Sequence, residues 1–143
     1  MENRRIVLDT NVVVSALRSS QGASFKLLSL VGQAESFDIC LSVPLILEYE
    51  EVLKRQTRQI GLTRSDIDNV LDYLCSVARL HEVFYLWRPT LRDPKDDFVL
   101  ELAVGARCES IVTFNQRDFE GASAFGLRIE GPKQFLQRIG ELK

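Results

Sequence analysis

Side chains with oxygen donors that follow apolar segments are the main candidates for chemistry in this 143-residue sequence. Asp9 comes directly after the apolar run 6–8, where a strand buried on both faces is predicted. In open α/β sheets ligands bind beyond the carboxyl ends of the strands, so an acid at this point faces the expected site. The simpler alternative is that Asp9 only caps the helix that follows. Other oxygen donors that would reach the same edge are Glu48, Asp96, Asp97, Asn115 and Asp118.

Several carboxylates in one pocket require a compensating charge. Two bare carboxylates about 4 Å apart repel by roughly 4 kcal/mol at an effective dielectric constant near 20. Such a cluster therefore takes up protons or binds a divalent cation. Carboxylate and amide oxygens favour Mg²⁺ or Mn²⁺, with water completing the coordination shell. An ion of this kind can activate water and hold phosphodiester oxygens, so the acids indicate phosphodiester hydrolysis. Acyl transfer fits less well, because no Ser or Cys has a plausible base.

Familiar motifs of other enzyme classes are absent from the sequence. There is no G-x-x-x-x-G-K-[ST] loop, no G-x-G-x-x-G and no G-x-S-x-G. The single histidine, His81, lies at a predicted helix-to-strand junction, which is more typical of a surface or cap residue than of a catalyst. The three cysteines, Cys40, Cys75 and Cys108, form no C-x-x-C pair, which argues for a reduced chain and against a zinc site. No apolar run approaches the ~20 residues of a membrane span, and no signal peptide is visible, so we expect a cytoplasmic protein.

Charge is distributed unevenly along the chain. The net charge of −2 does not by itself indicate nucleic-acid binding. The segment 54–64, however, contains four cations and no acid: Lys54, Arg55, Arg58 and Arg64. These side chains could hold RNA phosphates at the rim of an acidic site. A solvated helix end followed by a loop is the alternative interpretation of the same segment.

Strands that alternate with helices would position these groups. Apolar and β-branched runs predict strands at 6–8, 37–41, 82–87, 110–113 and 127–130. Helical periodicity and capping residues predict helices at 11–18, at 25–31 with Ser24 as N-cap, from Ser42 onward, from Thr63 to about Arg79, after the acids at 93–97, and at 132–140. Residues 121–126 read as a loop. This alternation predicts an α/β sandwich around a mostly parallel sheet, with residues 1–143 as one domain.

Four segments together resemble a known family. They are Val7-Leu8-Asp9-Thr10-Asn11-Val12-Val13-Val14-Ser15, the mid-chain Glu48, Asp93-Pro94-Lys95-Asp96-Asp97-Phe98, and Val112-Thr113-Phe114-Asn115-Gln116-Arg117-Asp118-Phe119. In this order and spacing they are similar to the PIN-domain ribonucleases, and most of all to the bacterial and archaeal branch of toxin components related to VapC. The resemblance covers nearly the whole chain.

The resemblance implies a three-layer α/β/α fold and metal-dependent cleavage of single-stranded RNA. Asp9 would be the first metal ligand and Glu48 the second. The third acid falls on Asp96 or Asp97, and Asp96 is preferred because it has apolar residues at +3, +4 and +7, as in the family's helix. The fourth position is Asn115, where many members have Asp, so binding of a second metal is weakened and Asp118 would partly substitute. Thr10, Asn11 and Thr113 would orient the carboxylates by hydrogen bonds.

Three functions remain as alternatives on the sequence. The first is an Mg²⁺- or Mn²⁺-dependent endoribonuclease, the toxin of a pair blocked by a small antitoxin protein and, from the family likeness, a homodimer. The second is a PIN-fold module that binds RNA or protein without efficient turnover, and Asn115 favours it. The third is a phosphotransferase with Asp9 as nucleophile. It would need a second acid two residues on, where Asn11 stands.

Overall fold

The computed structural model describes residues 3–33, 36–82 and 94–143, and it describes side chains of the last range from residue 96 onward. These residues form a five-stranded sheet in the order β3-β2-β1-β4-β5, and every strand pairing in it is parallel. The mostly parallel sheet predicted from the sequence is confirmed. The strands are β1 (Arg4–Leu8), β2 (Phe37–Leu41), β3 (Arg79–Leu80), β4 (Ser110–Val112) and β5 (Arg128–Glu130).

Helices cover both faces of the sheet. They are α1 (Thr10–Arg18), α2 (Ala23–Leu30), α3 (Val43–Arg55), α4 (Thr57–Ile60), α5 (Arg64–Val77), α6 (Pro94–Gly105) and α7 (Pro132–Arg138). The connections from β1 to β2 and from β2 to β3 step toward one edge, and the return to β4 steps the other way. Because parallel crossovers are right-handed, α6 covers the face opposite to the helices of the outward connections. The three-layer α/β/α architecture is therefore confirmed.

The central strand β1 is buried on both faces. Ile6, Val7 and Leu8 are at most 1% exposed, which explains the unbroken apolar run that ends at Asp9. Directly afterwards, Val12, Val13 and Val14 are helical and buried in α1. Three successive β-branched residues disfavour a helix on propensity alone, but burial of all three against the sheet and neighbouring helices outweighs that preference.

Capping residues define the starts of two helices as the sequence predicted. The Ser42 side chain accepts a hydrogen bond from the Leu45 amide at the start of α3, and Pro44 occupies the first turn of that helix. Thr63 and Asp66 form a reciprocal capping box at the start of α5. None of the helices in the described ranges combines the length and apolar character that a membrane span would need.

Some local predictions were wrong. Helix α2 begins at Ala23 with Gly22 as N-cap, and Ser24 lies inside the first turn with its side chain buried. Helix α5 ends at Val77, because the backbone turns to an extended conformation at Ala78 and residues 79–80 pair with β2. The third strand was predicted at 82–87, and residues 83–87 of it lie outside the described residues. The same holds for residues 88–93, which include Asp93.

Short 3₁₀ helices occupy two segments after β4, and the second of them lies within residues 121–126, which were predicted as a loop. They span Gln116–Phe119 and Ala122–Phe125. Gly121 and Gly126 flank the second, both in the left-handed region at φ 94° and 79°. Glycine adopts this conformation without steric cost, so the chain can reverse before and after a single turn.

Candidate functional site

The candidate site lies at the carboxyl ends of β1 and β4. The Asp9 amide donates to the Val112 carbonyl at 2.9 Å, so the residues that follow the two strands stand side by side. From this point the chain leaves β1 toward β2 and leaves β4 toward β5, in opposite directions. A parallel sheet opens a crevice where its connections diverge in this way, and ligands bind in such crevices.

The Asp9 carboxylate is held by donors from both strands' ends. Its Oδ1 accepts from the Thr10 amide at 2.9 Å, as expected for the N-cap of α1. Its Oδ2 accepts from the Thr113 hydroxyl at 2.7 Å and from Asn11 Nδ2 at 3.3 Å. Asp9 therefore does cap α1, and the same carboxylate is also fixed from across the crevice, so the two interpretations of this residue are compatible.

The segment after β4 is tied to the start of α1 by further hydrogen bonds. Asn11 Oδ1 accepts from the Phe114 amide at 3.3 Å. The Thr113 hydroxyl accepts from the Asn115 amide at 3.0 Å while it donates to Asp9. Thr113 is fully buried, so this hydroxyl is shielded from water and its partners are set by the protein alone.

Glu48 reaches the site through Thr10. The Thr10 hydroxyl donates to Glu48 Oε2, which connects α3 to the residue after Asp9. One residue further along α3, the buried Tyr49 hydroxyl donates to the carbonyl of Leu8. Burial, and then the charges of Asp9 and Glu48, raise the pKa of Tyr49 well above its usual value, so the phenol stays neutral and remains a donor. Glu48 itself lines a separate, mostly apolar cleft between α3 and α6.

An open pocket of about 830 Å³ lies over the Asp9 carboxylate. Of the oxygen donors predicted from the sequence, Asp9, Asp96, Asn115 and Asp118 line this pocket, as do Thr10 and Asn11. The remaining lining residues are Val14, Ser15, Arg18, Ser19, Val52, Gln56 and Phe114. Side chains that are more than 100 positions apart in the chain thus share one cavity.

Electrostatic repulsion within the site acts on Asp9. Burial raises the pKa of Asp9 above its ordinary value, the hydrogen bonds from Thr113 and the Thr10 amide oppose this, and the charges of Glu48 and Asp118 add to the increase. A nearby cation would favour the charged carboxylate and so offset both the cost of burial and the repulsion from the other acids.

The two neighbouring acids of α6 have different surroundings. Asp96 is partly exposed and lines the pocket, whereas Asp97 is buried. One turn further along the helix, burial raises the pKa of Glu101, and the charge of Asp97 raises it further. Glu101 is a buried acid that sequence reasoning did not single out, because it follows Asp97 at the i+4 spacing of an ordinary helix face.

Comparison with known proteins bears on this arrangement. A sequence profile of the PIN domain matches residues 5–117. The chain belongs to the PIN-domain family. The match contains Asp9, Glu48, Asp96 and Asn115, and it ends one residue before Asp118.

A solved structure shares the PIN fold of the chain. It is the crystal structure of VapBC2 from Rickettsia felis bound to a DNA fragment from their promoter. One of its chains superposes with a TM-score of 0.63 at 16% identity, covering 89% of this chain and 98% of that chain. At this identity the likeness shows a common fold. No curated protein matches the sequence.

The donors around the PIN-domain pocket suit a hard divalent cation. Asp9, Asp96 and Asp118 offer carboxylate oxygens and Asn115 offers an amide oxygen, and these are the ligands that Mg²⁺ and Mn²⁺ prefer. Within the described ranges no three His, Cys, Asp or Glu side chains are already gathered at metal-binding distances. Mg²⁺ usually binds through one or two carboxylates and keeps several waters, so an open pocket lined by Asp9, Asp96 and Asp118 is compatible with it.

The basic segment lies beside this pocket. Lys54 is engaged by acids, because its Nζ lies 3.3 Å from Glu50 and 2.7 Å from Asp68 on α5. Arg55, Arg58 and Arg64 are exposed. Gln56, between Arg55 and α4, lines the pocket itself, so the segment borders the site at one point.

Sequence reasoning missed part of the pocket wall formed by α1. Ser15 and Arg18 line the pocket together with Asn11. Positions 11, 15 and 18 follow one another at helical spacings of four and three, so they share the face of α1 that Asn11 occupies. That periodicity was available in the sequence and would have identified Arg18.

Proposed function

We propose that this PIN-domain protein is a metal-dependent endoribonuclease that cleaves single-stranded RNA. The observation that carries the proposal is the buried Asp9 carboxylate at the β1–β4 crevice, with Asp96, Asn115 and Asp118 lining the same pocket. Family membership supports the assignment to phosphodiester hydrolysis, since the same positions carry the resemblance. In this proposal Asp9, Glu48 and Asp96 are the catalytic acids, and Asp97 supports them from its buried position.

Mg²⁺ or Mn²⁺ is the proposed cofactor, held by Asp9, Asp96 and Asp118 with the amide oxygen of Asn115. When bound, such an ion supplies an activated water and neutralises charge on the phosphodiester. The chain itself supplies orientation. Thr113 and the Thr10 amide hold both oxygens of Asp9, and the Thr10 hydroxyl holds Glu48 toward the same edge.

Asn115 has a specific consequence in this proposal. Its amide oxygen can accept or ligate but contributes no negative charge, so the pocket offers one charge fewer than it would with Asp at that position. We propose one tightly bound divalent ion in place of two. Asp118, whose charge reaches Asp9, supplies part of the missing charge.

Asn115 also favours a second candidate function, a PIN-fold module that binds RNA or protein without efficient turnover. A cation site with a neutral fourth donor binds its ion more weakly, and binding of a strand does not require hydrolysis. The exposed cations Arg55, Arg58 and Arg64 would serve either function by holding phosphates, and Lys54 would contribute less because Glu50 and Asp68 already engage it.

We also propose that the enzyme is the toxin of a toxin–antitoxin pair, acts in the cytoplasm and forms a homodimer. The VapBC2 fold likeness and the PIN profile support the kind of partner. The free cysteines support a reducing compartment. A small protein encoded immediately beside this gene would be the antitoxin to test, by co-purification and by inhibition of RNA cleavage.

The test is cleavage of a labelled single-stranded RNA in Mg²⁺ and in Mn²⁺, with and without a chelator. We expect cleavage by the natural sequence in the presence of metal and none by Asp9→Asn. Asp72→Asn is the matched control, since it makes the same change on an exposed position of α5. RNA binding without cleavage in either metal would favour the binding module. Cleavage by Asp9→Asn would show that the site is elsewhere.

A further inference from the structure

Phe114 is a large aromatic side chain that lines the Asp9 pocket while remaining 52% exposed. It contributes little to the hydrophobic core, in contrast to Phe119, which is 1% exposed. A single exposed apolar side chain is ordinary on a protein surface. This one, however, stands in the wall of a pocket that Asp9, Asp96 and Asp118 also line, and it lies between Thr113 and Asn115 in the chain.

The backbone that carries Phe114 is anchored on both sides. Its own amide donates to Asn11 Oδ1 at 3.3 Å, and the Asn115 amide donates to the buried Thr113 hydroxyl at 3.0 Å. The ring is therefore presented at a fixed point beside Asp9, and its remaining freedom is confined to two χ angles. An aromatic side chain of this kind provides contact area at low entropic cost.

The remaining residues of the pocket wall complement a ligand that has flat apolar faces and polar edges. Val14 and Val52 give it apolar surface, and Gln56 and Ser15 give it hydrogen-bonding groups. Arg18, in the last turn of α1, is a cation lining the same cavity. The volume of about 830 Å³ lies within the range of ligand sites and exceeds what a metal ion with its waters would fill.

We propose that Phe114 is a specificity-determining residue that stacks on an unpaired nucleobase of the substrate strand, while Arg18 contacts a phosphate of the same strand. The inference rests on the proposed function for the identity of the substrate, and it adds the reason for single-strand preference. Stacking on an aromatic ring requires a base with an open face. A base inside a duplex has both faces covered by its neighbours, so it cannot use Phe114 without leaving the helix.

Loss of the ring has a measurable consequence. Removal of one base-stacking aromatic weakens binding of a single strand by about 5- to 150-fold. Because stacking acts on the bound strand in the ground state as well as in the transition state, the loss falls mainly on KM and leaves kcat nearly unchanged. Loss of the Arg18 charge lowers the slope of log affinity against log salt by about 0.7, the contribution of one phosphate contact on a single strand.

The experiment uses a single-stranded RNA that carries 2-aminopurine, whose fluorescence is quenched by stacking. Binding is measured in the Asp9→Asn background, so no cleavage is needed for the readout. Phe114→Leu keeps an apolar side chain but removes the ring, and Phe114→Tyr restores an aromatic face. Phe25→Leu is the matched control, because Phe25 is similarly exposed at 42% and lies on α2. A duplex of the same sequence is the competing substrate.

We expect quenched 2-aminopurine fluorescence and tight RNA binding when residue 114 is Phe or is changed by Phe114→Tyr. Phe114→Leu should lose both, and Phe25→Leu should change neither. The discrimination between single strand and duplex should shrink with Phe114→Leu. Equal quenching and equal affinity with Leu would overturn the inference, even if the natural sequence cleaves RNA. Conversely, ring-dependent quenching together with no RNA cleavage by the natural sequence in Mg²⁺ or Mn²⁺ would support the stacking role and contradict the proposed ribonuclease activity, so the two failures are distinguishable.

Discussion

Substitution of Thr113 by Val tests how the tertiary structure holds Asp9. Thr113 follows β4, is fully buried, and its hydroxyl donates to Asp9 Oδ2 at 2.7 Å while accepting from the Asn115 amide at 3.0 Å. Valine has nearly the same shape, so the change removes the hydroxyl without opening a cavity. The hydroxyl also accepts a long hydrogen bond from Asn11 Nδ2 at 3.4 Å, so any effect reports these three hydrogen bonds.

The size of the effect follows from the burial of the partners. A hydrogen bond to a charged group contributes about 1.5–3 kcal/mol, and both Thr113 and Asp9 are shielded from solvent. The Asn115 amide belongs to an exposed residue, so water can replace its acceptor and the loss there is about 0.5 kcal/mol. We expect Thr113→Val to lower the free energy of unfolding by about 2–3 kcal/mol. If Asp9 ligates a metal ion as proposed, Mn²⁺ affinity should also fall about 10- to 100-fold, the usual loss when a residue that orients a metal ligand is removed.

Urea unfolding and Mn²⁺ titration measure the two effects. With a slope near 2 kcal/mol per molar urea, the midpoint should move by about 1 M or more. Thr113→Ser is the control, since it keeps the hydroxyl and loses one buried methyl, which costs about 1 kcal/mol. If Val and Ser destabilise equally, the hydroxyl is not responsible. An unchanged unfolding midpoint for Val would refute the reasoning about Asp9.

Two further predictions concern other parts of the fold. Arg138 on α7 donates to Glu130 at 3.0 and 2.8 Å, and Glu130 is only 7% exposed. Arg138→Met should therefore lower the free energy of unfolding in urea by about 2–3 kcal/mol. The loss is smaller than for a fully buried pair because Arg138 is partly exposed. Burial raises the pKa of Glu130, but the hydrogen bonds from Arg138 and Ser110 outweigh it and hold that pKa below the ordinary 4.5. The stability that Glu130 contributes is thus present above pH 4.5 and is lost as pH falls through the lower folded pKa. The free energy of unfolding, followed from about pH 6 downward, should therefore depend less on pH in Arg138→Met than in the natural sequence. An equal pH dependence in both would contradict the role of Arg138 in lowering the pKa of Glu130. Arg107 lies just beyond α6 at φ 58°, a backbone conformation in which glycine is preferred. Arg107→Gly should therefore stabilise the fold by about 0.5–1 kcal/mol and raise the thermal midpoint, whereas Arg107→Ala keeps the strain and should not. Equal midpoints for the two variants would count against backbone strain at this position.

The sequence by itself determined the elements whose reasons are local. An apolar run without polar interruption predicted that β1 is buried on both faces, and it made Asp9 at its end a candidate site residue, with a simple helix cap as the alternative. Ser42 and Thr63 predicted where α3 and α5 begin, because each caps its helix by a contact with a residue three positions on. The four-segment resemblance added the family and its three-layer fold.

Other features depended on tertiary contacts. The sequence left Asp96 and Asp97 open and preferred Asp96 on helical spacing, but only the packing of α6 determines that Asp96 lines the pocket and Asp97 is buried. The Ser24 cap and the end of α5 were wrong because burial of Ser24 and pairing of residues 79–80 with β2 depend on distant segments. The contact of Thr113 with Asp9 spans 104 positions and exists because β4 lies beside β1. Strand order is set by which apolar surfaces bury one another across the whole chain, so no local pattern encodes it, and the site forms only when that order is complete.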